Sequence, residues 1–292
     1  MRITKNENFS QAYHLVLWDL LNKPEYTCSP RGMQIREVTD AVISFTDPTS
    51  ALYGNVRRPS QLKYIAGEFL WYFAGRNDIE FIQRFAKFWN NITNPDGTLN
   101  SAYGNLIFTR RNEHGLSQWD WAYQSLVKDP DTRQAIMHFN TPDHQRFDNK
   151  DFVCTLAANF HIRENKLNLT VSMRSNDAIL GTPTDVAFFC MLQIQMHKLL
   201  KNTYPDLELG TYTHIAHSLH IYERHFDLVK EMLEKPFEPM SLPSLDGDFV
   251  NEKGEASEEL LKIIEKIETN QDFSVKDQGA LKWIYETIFS NE

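Results

Sequence analysis

The chain has 292 residues, with 30 Lys and Arg against 39 Asp and Glu, for a formal net charge of −9. That length allows one large domain or two small ones, and the acidic balance argues against direct nucleic-acid binding while leaving room for a local basic pocket that takes a small anion. No apolar run approaches the roughly 18 residues of a membrane span. The opening segment, MRITKNENFSQAYHLVLWDLL, lacks a signal peptide's apolar core and small-residue cleavage site. Three cysteines, Cys28, Cys154 and Cys190, form no CxxC and cannot all pair. They point to a reducing, cytoplasmic compartment, where a thiol can stay a nucleophile.

In chain order, Phe9, Tyr13, Val16, Leu17 and Leu20 recur at helical intervals and predict a helix over 9–21, ended by Pro24. Residues 33–46 alternate loosely as a strand, with Arg31 in the loop before it. The segment SQLKYIAGEFLWYFA, 60–74, predicts a strongly apolar helix with Ser60 as N-cap and Gly75 as its stop. Glu68 lies inside it, and a carboxylate buried there needs a partner or a raised pKa. A helix over 79–89 is expected next, then the loop NPDGTLNSAYGN and a helix over 117–128. The segment KDPDTRQAIMHF runs from turn to strand, with Arg133 at the junction.

Residues 153–173 predict a hairpin with its turn at RENK, because Leu167, Leu169, Val171 and Met173 alternate with Asn168, Thr170 and Ser172. Cys154 begins one strand and Arg174 ends its neighbour, so antiparallel pairing brings thiol and guanidinium together. A cation that close favours the thiolate. The run Arg174-Ser175-Asn176-Asp177 leads into Gly181, Pro183 and Asp185. A thiol, a cation beside a hydroxyl and two carboxylates within about 30 residues suggest a site that binds an anion and attacks a ring.

A long apolar helix is expected over 184–201, with Thr184 or Asp185 as N-cap and Cys190 in the core. Residues 207–222 read as a strand and its exit. His214, His217 and His220 are three apart, so on a strand they alternate in face and do not converge; no metal site is expected. A helix follows over 223–234, then a Pro-rich loop over 235–250 and two amphipathic helices. Leu260, Leu261, Ile264 and Ile267 form one apolar face behind a Ser257 cap; Leu281, Trp283, Ile284, Ile288 and Phe289 form the other.

Together these segments resemble the thymidylate synthase superfamily from about Arg31 to His225. The matching pieces are GEFLWYFAG around Glu68, Trp89, SAYGN around Tyr103 and DPDTRQ around Arg133. FVCT at Cys154, RSNDAILGTP at 174–183 and HSLHIYERH at 217–225 follow in the same order. The resemblance implies an α+β fold with a large twisted mixed sheet flanked by helices, and an obligate homodimer. It implies a catalytic domain over 1–235, with 236–292 a helical C-terminal extension packed on the core. It also implies roles: Cys154 as nucleophile and Glu68 as proton manager; Arg31, Arg174, Ser175 and a partner-supplied Arg133 on phosphate; Tyr103, His220 and Tyr222 around base and sugar. Asp177, Trp89 and Gly181 would meet the one-carbon donor, 5,10-methylenetetrahydrofolate. Gln134 stands where many members carry a second arginine.

Asp185 is the departure that matters, because thymidylate synthases have asparagine there. A carboxylate accepts from the cytosine amino group and supports a proton on N3, so Asp185 aligns the chain with phage-type deoxycytidylate hydroxymethylases. Thr155, where a histidine is usual, and the closing LKWIYETIFSNE, which lacks a short apolar closure tail, lean the same way. The resemblance therefore implies conversion of dCMP and methylenetetrahydrofolate to 5-hydroxymethyl-dCMP and tetrahydrofolate. Methylation of dCMP, thymidylate synthesis from dUMP and a non-catalytic nucleotide-binding relative stay open as alternatives. Modified cytosine nucleotides would suit a virus that disguises its DNA, acting in the host cytoplasm.

Overall fold

Alternating β-branched and polar residues, two left-handed turn positions and one long apolar helix between strands determine the first part of the architecture. The computed structural model describes residues 3–270, 274–276 and 278–290; Met1, Arg2, Asn291 and Glu292 of the terminal segments read above lie outside them. In chain order the elements are β1 (Ile3–Asn6), α1 (Phe9–Asn22), β2 (Tyr26–Cys28), β3 (Ile35–Phe45), β4 (Leu52–Asn55), α2 (Leu62–Phe73), α3 (Ile79–Ile82), α4 (Gln118–Lys128) and β5 (Ile136–His138). Then come β6 (Thr155–Arg163), β7 (Lys166–Met173), β8 (Asn176–Asp177), α5 (Thr182–Leu200), β9 (Glu208–Tyr222), α6 (Phe226–Leu233), β10 (Phe237–Met240), α7 (Glu258–Thr269) and α8 (Ala280–Phe289). They form two compact units. One comprises Met1–Ser60, Cys154–Ile194 and Asp206–Leu242; the other comprises Gln61–Val153, Gln195–Pro205 and Pro243–Glu292.

In the first unit the sheet runs β1-β3-β9-β7-β6, with β2 on β3 and β8 on β9. It is mixed: β3 and β9 are antiparallel, β7 and β9 parallel. The β6–β7 hairpin closes through Glu164 and Asn165, with φ of 50° and 59°, the two left-handed residues of a tight turn whose twist suits the strands. Leu167, Leu169, Val171 and Met173 are buried while the residues between them are not. Helix α5 ties itself to this strand through buried Gln193, whose Nε2 donates to Leu167 O at 2.8 Å. The large mixed sheet with flanking helices bears out the expected fold class.

The second unit is built around α2, in which Ile65 to Phe73 are all buried. Phe73 lies 4.6 Å from Phe249 and 5.8 Å from Phe108, and Phe69 lies 6.4 Å from Trp283, ring centre to ring centre. The tail residues Phe249 and Trp283 are thus part of the packing around α2. Gly104 allows the SAYGN loop to approach α2, because a Cβ there would sit 1.8 Å from the carbonyl oxygen of Tyr72.

Several local expectations need correction. Ser60 does not cap α2; Gln61 holds that position, and the Ser60 hydroxyl instead accepts from Tyr53 N at 2.8 Å. The helix expected over 79–89 is the short α3 followed by a 3₁₀ turn at 87–91, because Ala86 is extended (φ −148°, ψ 112°) and breaks it. Helix α5 starts at Thr182, so Thr184 and Asp185 lie in its first turn rather than at the cap. The Pro-rich loop contains β10, which pairs antiparallel with β4 and places Pro239 opposite Tyr53. In α7 the buried face uses Ile263, while Leu261 is 47% exposed.

Replacing Gly104 with alanine forces backbone, not a side chain, to move. Gly104→Ala should cost about 3 kcal/mol or prevent folding, read as a lower midpoint in thermal or urea denaturation; an unchanged midpoint would contradict this packing.

Candidate active site

The first unit gathers most of the expected residues at the ends of β6, β7 and β9 and in the loop that opens α5. Cys154 and Arg174 face each other across the hairpin end: Arg174 N donates to Cys154 O at 2.8 Å, and the guanidinium Nη2 donates to Cys154 Sγ at 3.4 Å. The half-buried thiol therefore has a permanent cation against its sulfur, which stabilises the nucleophilic thiolate. Thr155 beside it is wholly buried. Ser175 adjoins Arg174 in the same turn. Arg31 is exposed in a left-handed backbone conformation (φ 53°) just before β3.

The loop from Asn176 to Gly181 is held from several sides. Asp177 Oδ1 accepts from Ile179 N and Leu180 N at 2.8 and 3.2 Å. Tyr13 in α1 donates its hydroxyl proton to Ala178 O at 2.6 Å, and Arg58 donates to Ile179 O at 3.3 Å. Ala178 N donates to His220 O at 2.8 Å. A Cβ at Gly181 would come within 2.9 Å of Asn176 Nδ2 and 3.2 Å of Asp185 Oδ2, so any larger residue there must displace these side chains.

Asp185 is the most perturbed carboxyl in this loop. Burial raises its pKa to about 7, against a smaller lowering by the Asn176 amide, which donates from Nδ2 to Asp185 Oδ2 at 2.8 Å. Its place in the first turn of α5 also favours the ionised form, so desolvation outweighs both the helix end and the hydrogen bond. Asn176 and His214, which sequence reasoning did not assign to the site, stand behind it. Asn176 Oδ1 accepts from the Thr182 hydroxyl and lies 3.2 Å from His214 Nε2, and His214 Nδ1 lies 3.0 Å from the Tyr212 hydroxyl. The alternation of β9 was the available signal, since it turns Tyr212, His214 and Ala216 inward together. His220 is also buried and 3.3 Å from Ser218 O through Nδ1, with its ring edge-on to Tyr222 at 5.0 Å. His217 is exposed, against Asp40 Oδ1 at 2.7 Å.

The second unit holds Glu68, Trp89, Tyr103 and Arg133. Glu68 is buried in α2, and its Oε1 accepts from the Tyr64 hydroxyl, with the Tyr72 hydroxyl at 3.5 Å. Trp89 Nε1 donates to the same Tyr64 oxygen at 3.1 Å. The need for a partner to Glu68 is thus met in part by phenols. Tyr64, absent from the expected site, is the i−4 neighbour of Glu68 on one helix face. Tyr103 stacks on Tyr72 at 5.4 Å. Arg133 is exposed.

Comparisons with known proteins identify the family. The thymidylate synthase family model matches residues 11–280. The chain is 32% identical over 225 residues to the deoxyuridylate hydroxymethyltransferase of Bacillus phage SP01, covering 73% of this chain and 57% of that protein, so it spans little more than half of that relative's length. It is 28% identical over 216 residues to the deoxycytidylate 5-hydroxymethyltransferase of Enterobacteria phage T4, covering 72% and 84%. Thymidylate synthase of Symbiobacterium thermophilum is 29% identical over 194 residues, covering 62% and 65%. Among solved structures, thermostable thymidylate synthase A from Bacillus subtilis superposes with a TM-score of 0.65 at 23% identity, over 82% of this chain and 87% of that one, a likeness of fold. With a family match that takes in both the Cys154–Arg174 pair and Glu68, the chain belongs to the thymidylate synthase family.

Proposed function

We propose that this protein transfers a one-carbon unit to C5 of dCMP and releases 5-hydroxymethyl-dCMP. The family and its relatives are folate-dependent pyrimidine nucleotide C5 transferases, and both phage relatives are named hydroxymethyltransferases. The observation that carries the choice of base is Asp185, with a pKa of about 7 and one oxygen committed to Asn176. That bond favours negative charge on Oδ2, so the proton resides on Oδ1. Cytosine offers a basic N3 and an amino donor, and a half-protonated carboxyl can give N3 its proton while accepting from N4. Uracil O4 is far less basic and takes no such proton.

In this reading Cys154 thiolate, held against Arg174, adds to C6, and the electron pair moves towards N3 as Asp185 supplies the proton. C5 becomes nucleophilic. Methylenetetrahydrofolate, the one-carbon donor of the family, supplies a carbon at the oxidation level of formaldehyde. Asp177 suits its pterin edge: among the described residues Oδ2 accepts no hydrogen bond, while Oδ1 is used in the loop. Trp89 and Gly181 carry the remaining folate contacts by resemblance, and Glu68 manages protons. Arg31, Arg174, Ser175 and Arg133 of the partner subunit hold the phosphate in a homodimer. Tyr103 lines the nucleotide pocket. His220, which directs Nδ1–H to Ser218 O, keeps Nε2 to accept from a sugar hydroxyl beside Tyr222. Loss of the C5 proton and departure of tetrahydrofolate leave an exocyclic methylene on the ring; water adds to it, and elimination of Cys154 with return of the N3 proton to Asp185 frees the product.

A second reading has one observation in its favour. The SP01 relative is named for deoxyuridylate, and a fully protonated Asp185 offers a donor and an acceptor as asparagine does, which would serve uracil.

Two measurements test these readings. With protein, methylenetetrahydrofolate and C5-tritiated dCMP or dUMP, tritium should be released from dCMP without dihydrofolate. Matching dihydrofolate would make the enzyme a methyltransferase, and preference for dUMP would establish the second reading. Cys154→Ser should release none from either. The second is calorimetric, with Cys154→Ser and dCMP. The complex holds one proton shared by Asp185 and N3, and free Asp185 has lost it above pH 7. Binding at pH 8 should therefore take up nearly one proton and weaken about tenfold per pH unit. Below pH 6 the free carboxyl already carries the proton, and uptake should vanish. Uptake independent of pH would contradict the assigned role.

A further inference from the structure

Behind Asp185 lies a buried chain of polar groups that the reaction as written does not use. His214 is wholly buried, and its two nitrogens meet only Tyr212 and Asn176 among the described residues. Burial lowers its pKa to about 4, so the ring is neutral and carries one N–H. Asn176, also buried, presents its NH₂ to the acceptor Asp185 Oδ2 and therefore its oxygen to Thr182 and His214. That orientation requires the proton of His214 on Nε2, and Nδ1 is left to accept from the Tyr212 hydroxyl. Burial raises the Tyr212 pKa well above its ordinary value, so its proton stays in place.

We propose that His214 is a positioning residue for base selection: it donates Nε2–H to Asn176 Oδ1, holds the Asn176 NH₂ towards Asp185, and so determines which carboxyl oxygen is left to meet the pyrimidine. This rests on the reading of Asp185 as the residue that meets the base. A neutral histidine in an apolar core is costlier than a leucine or phenylalanine of similar volume unless its hydrogen bonds serve something. Here both bonds lead, through one amide, to the carboxyl. The Thr182 hydroxyl can donate or accept, so it does not by itself resist a flip of Asn176. A flipped amide would turn its oxygen to Asp185 Oδ2, remove the donor there, and shift the carboxyl from the position that complements N3 and N4 together. Each bond in the line also polarises the next.

The test compares wild type, His214→Phe, His214→Gln, Tyr212→Phe and Asp185→Asn in steady-state kinetics with dCMP and dUMP, with thermal midpoints alongside. Asp185→Asn should move preference to dUMP. If it does not, the reading of Asp185 falls and takes this inference with it. His214→Phe should lower the dCMP-to-dUMP ratio of kcat/KM about tenfold, the weight of one buried hydrogen bond, mainly through a higher KM for dCMP. His214→Gln, which can still donate to Asn176 Oδ1, should recover most of that loss. Equal losses on both substrates, or no difference between the Phe and Gln variants, would overturn the proposal while leaving Asp185 intact. If His214→Phe does not fold, Tyr212→Phe decides: a smaller fall in the ratio at an unchanged midpoint supports it, and an unchanged ratio overturns it.

Discussion

A carboxyl that must stay buried next to a helix start is the constraint on which the first unit depends. Asp185 sits where the helix end favours ionisation and burial opposes it, and burial wins, leaving a pKa of about 7. Such a group needs neighbours that tolerate either charge state. A neutral amide does so where an arginine or lysine would not: a cation at 2.8 Å would hold the carboxyl ionised. The choice of Asn176, backed by a neutral histidine and a phenol, preserves the ambiguity. The surrounding loop is correspondingly overdetermined, with Tyr13, Arg58 and Asp177 each spending a hydrogen bond on its backbone.

The contrast with the other two ionisable positions is instructive. Cys154 has a guanidinium against its sulfur, an arrangement that favours one charge state and suits a nucleophile. Glu68 is buried beside phenols and an indole in a helix otherwise filled with apolar side chains. The three groups thus have different hydrogen-bond partners: a guanidinium for Cys154, a neutral amide for Asp185 and a phenol for Glu68. In the proposed reaction the thiolate adds to carbon, Asp185 shares a proton with the ring, and Glu68 passes protons, so each environment matches the demand placed on it.

Much of this was legible in the chain. The hairpin, with Cys154 and Arg174 at its open end, followed from alternation alone, because a half-buried strand has a period of two and an antiparallel pair must bring its ends together. Glu68 stood out because it is flanked by Phe69, Leu70, Trp71 and Phe73, and a carboxylate buried among them demands a partner. The partner itself was missed, since tyrosine at i−4 in an aromatic helix reads as core. His214 was weighed only as a metal ligand, and set aside because the three histidines alternate in face; its true neighbours, Asn176 and Tyr212, are fixed by sheet register and a loop, which single-sequence periodicity does not encode. The break after α3 and strand β10 were hidden for a related reason. Ala86 has good helix propensity yet is extended, and Pro239 suggests a loop yet lies on a two-stranded pair; in both, tertiary packing overrides local preference.

The central claim is that Asp185 and cytosine N3 share one proton. Nitrogen NMR of dCMP labelled with ¹⁵N at N3, bound to the Cys154→Ser protein at neutral pH, observes that proton directly. The account predicts a large upfield shift of N3 on binding, towards the value of protonated cytosine, with the shift lost in the Asp185→Asn background. An N3 resonance that stays at the position of a bare lone pair in the bound state would contradict it.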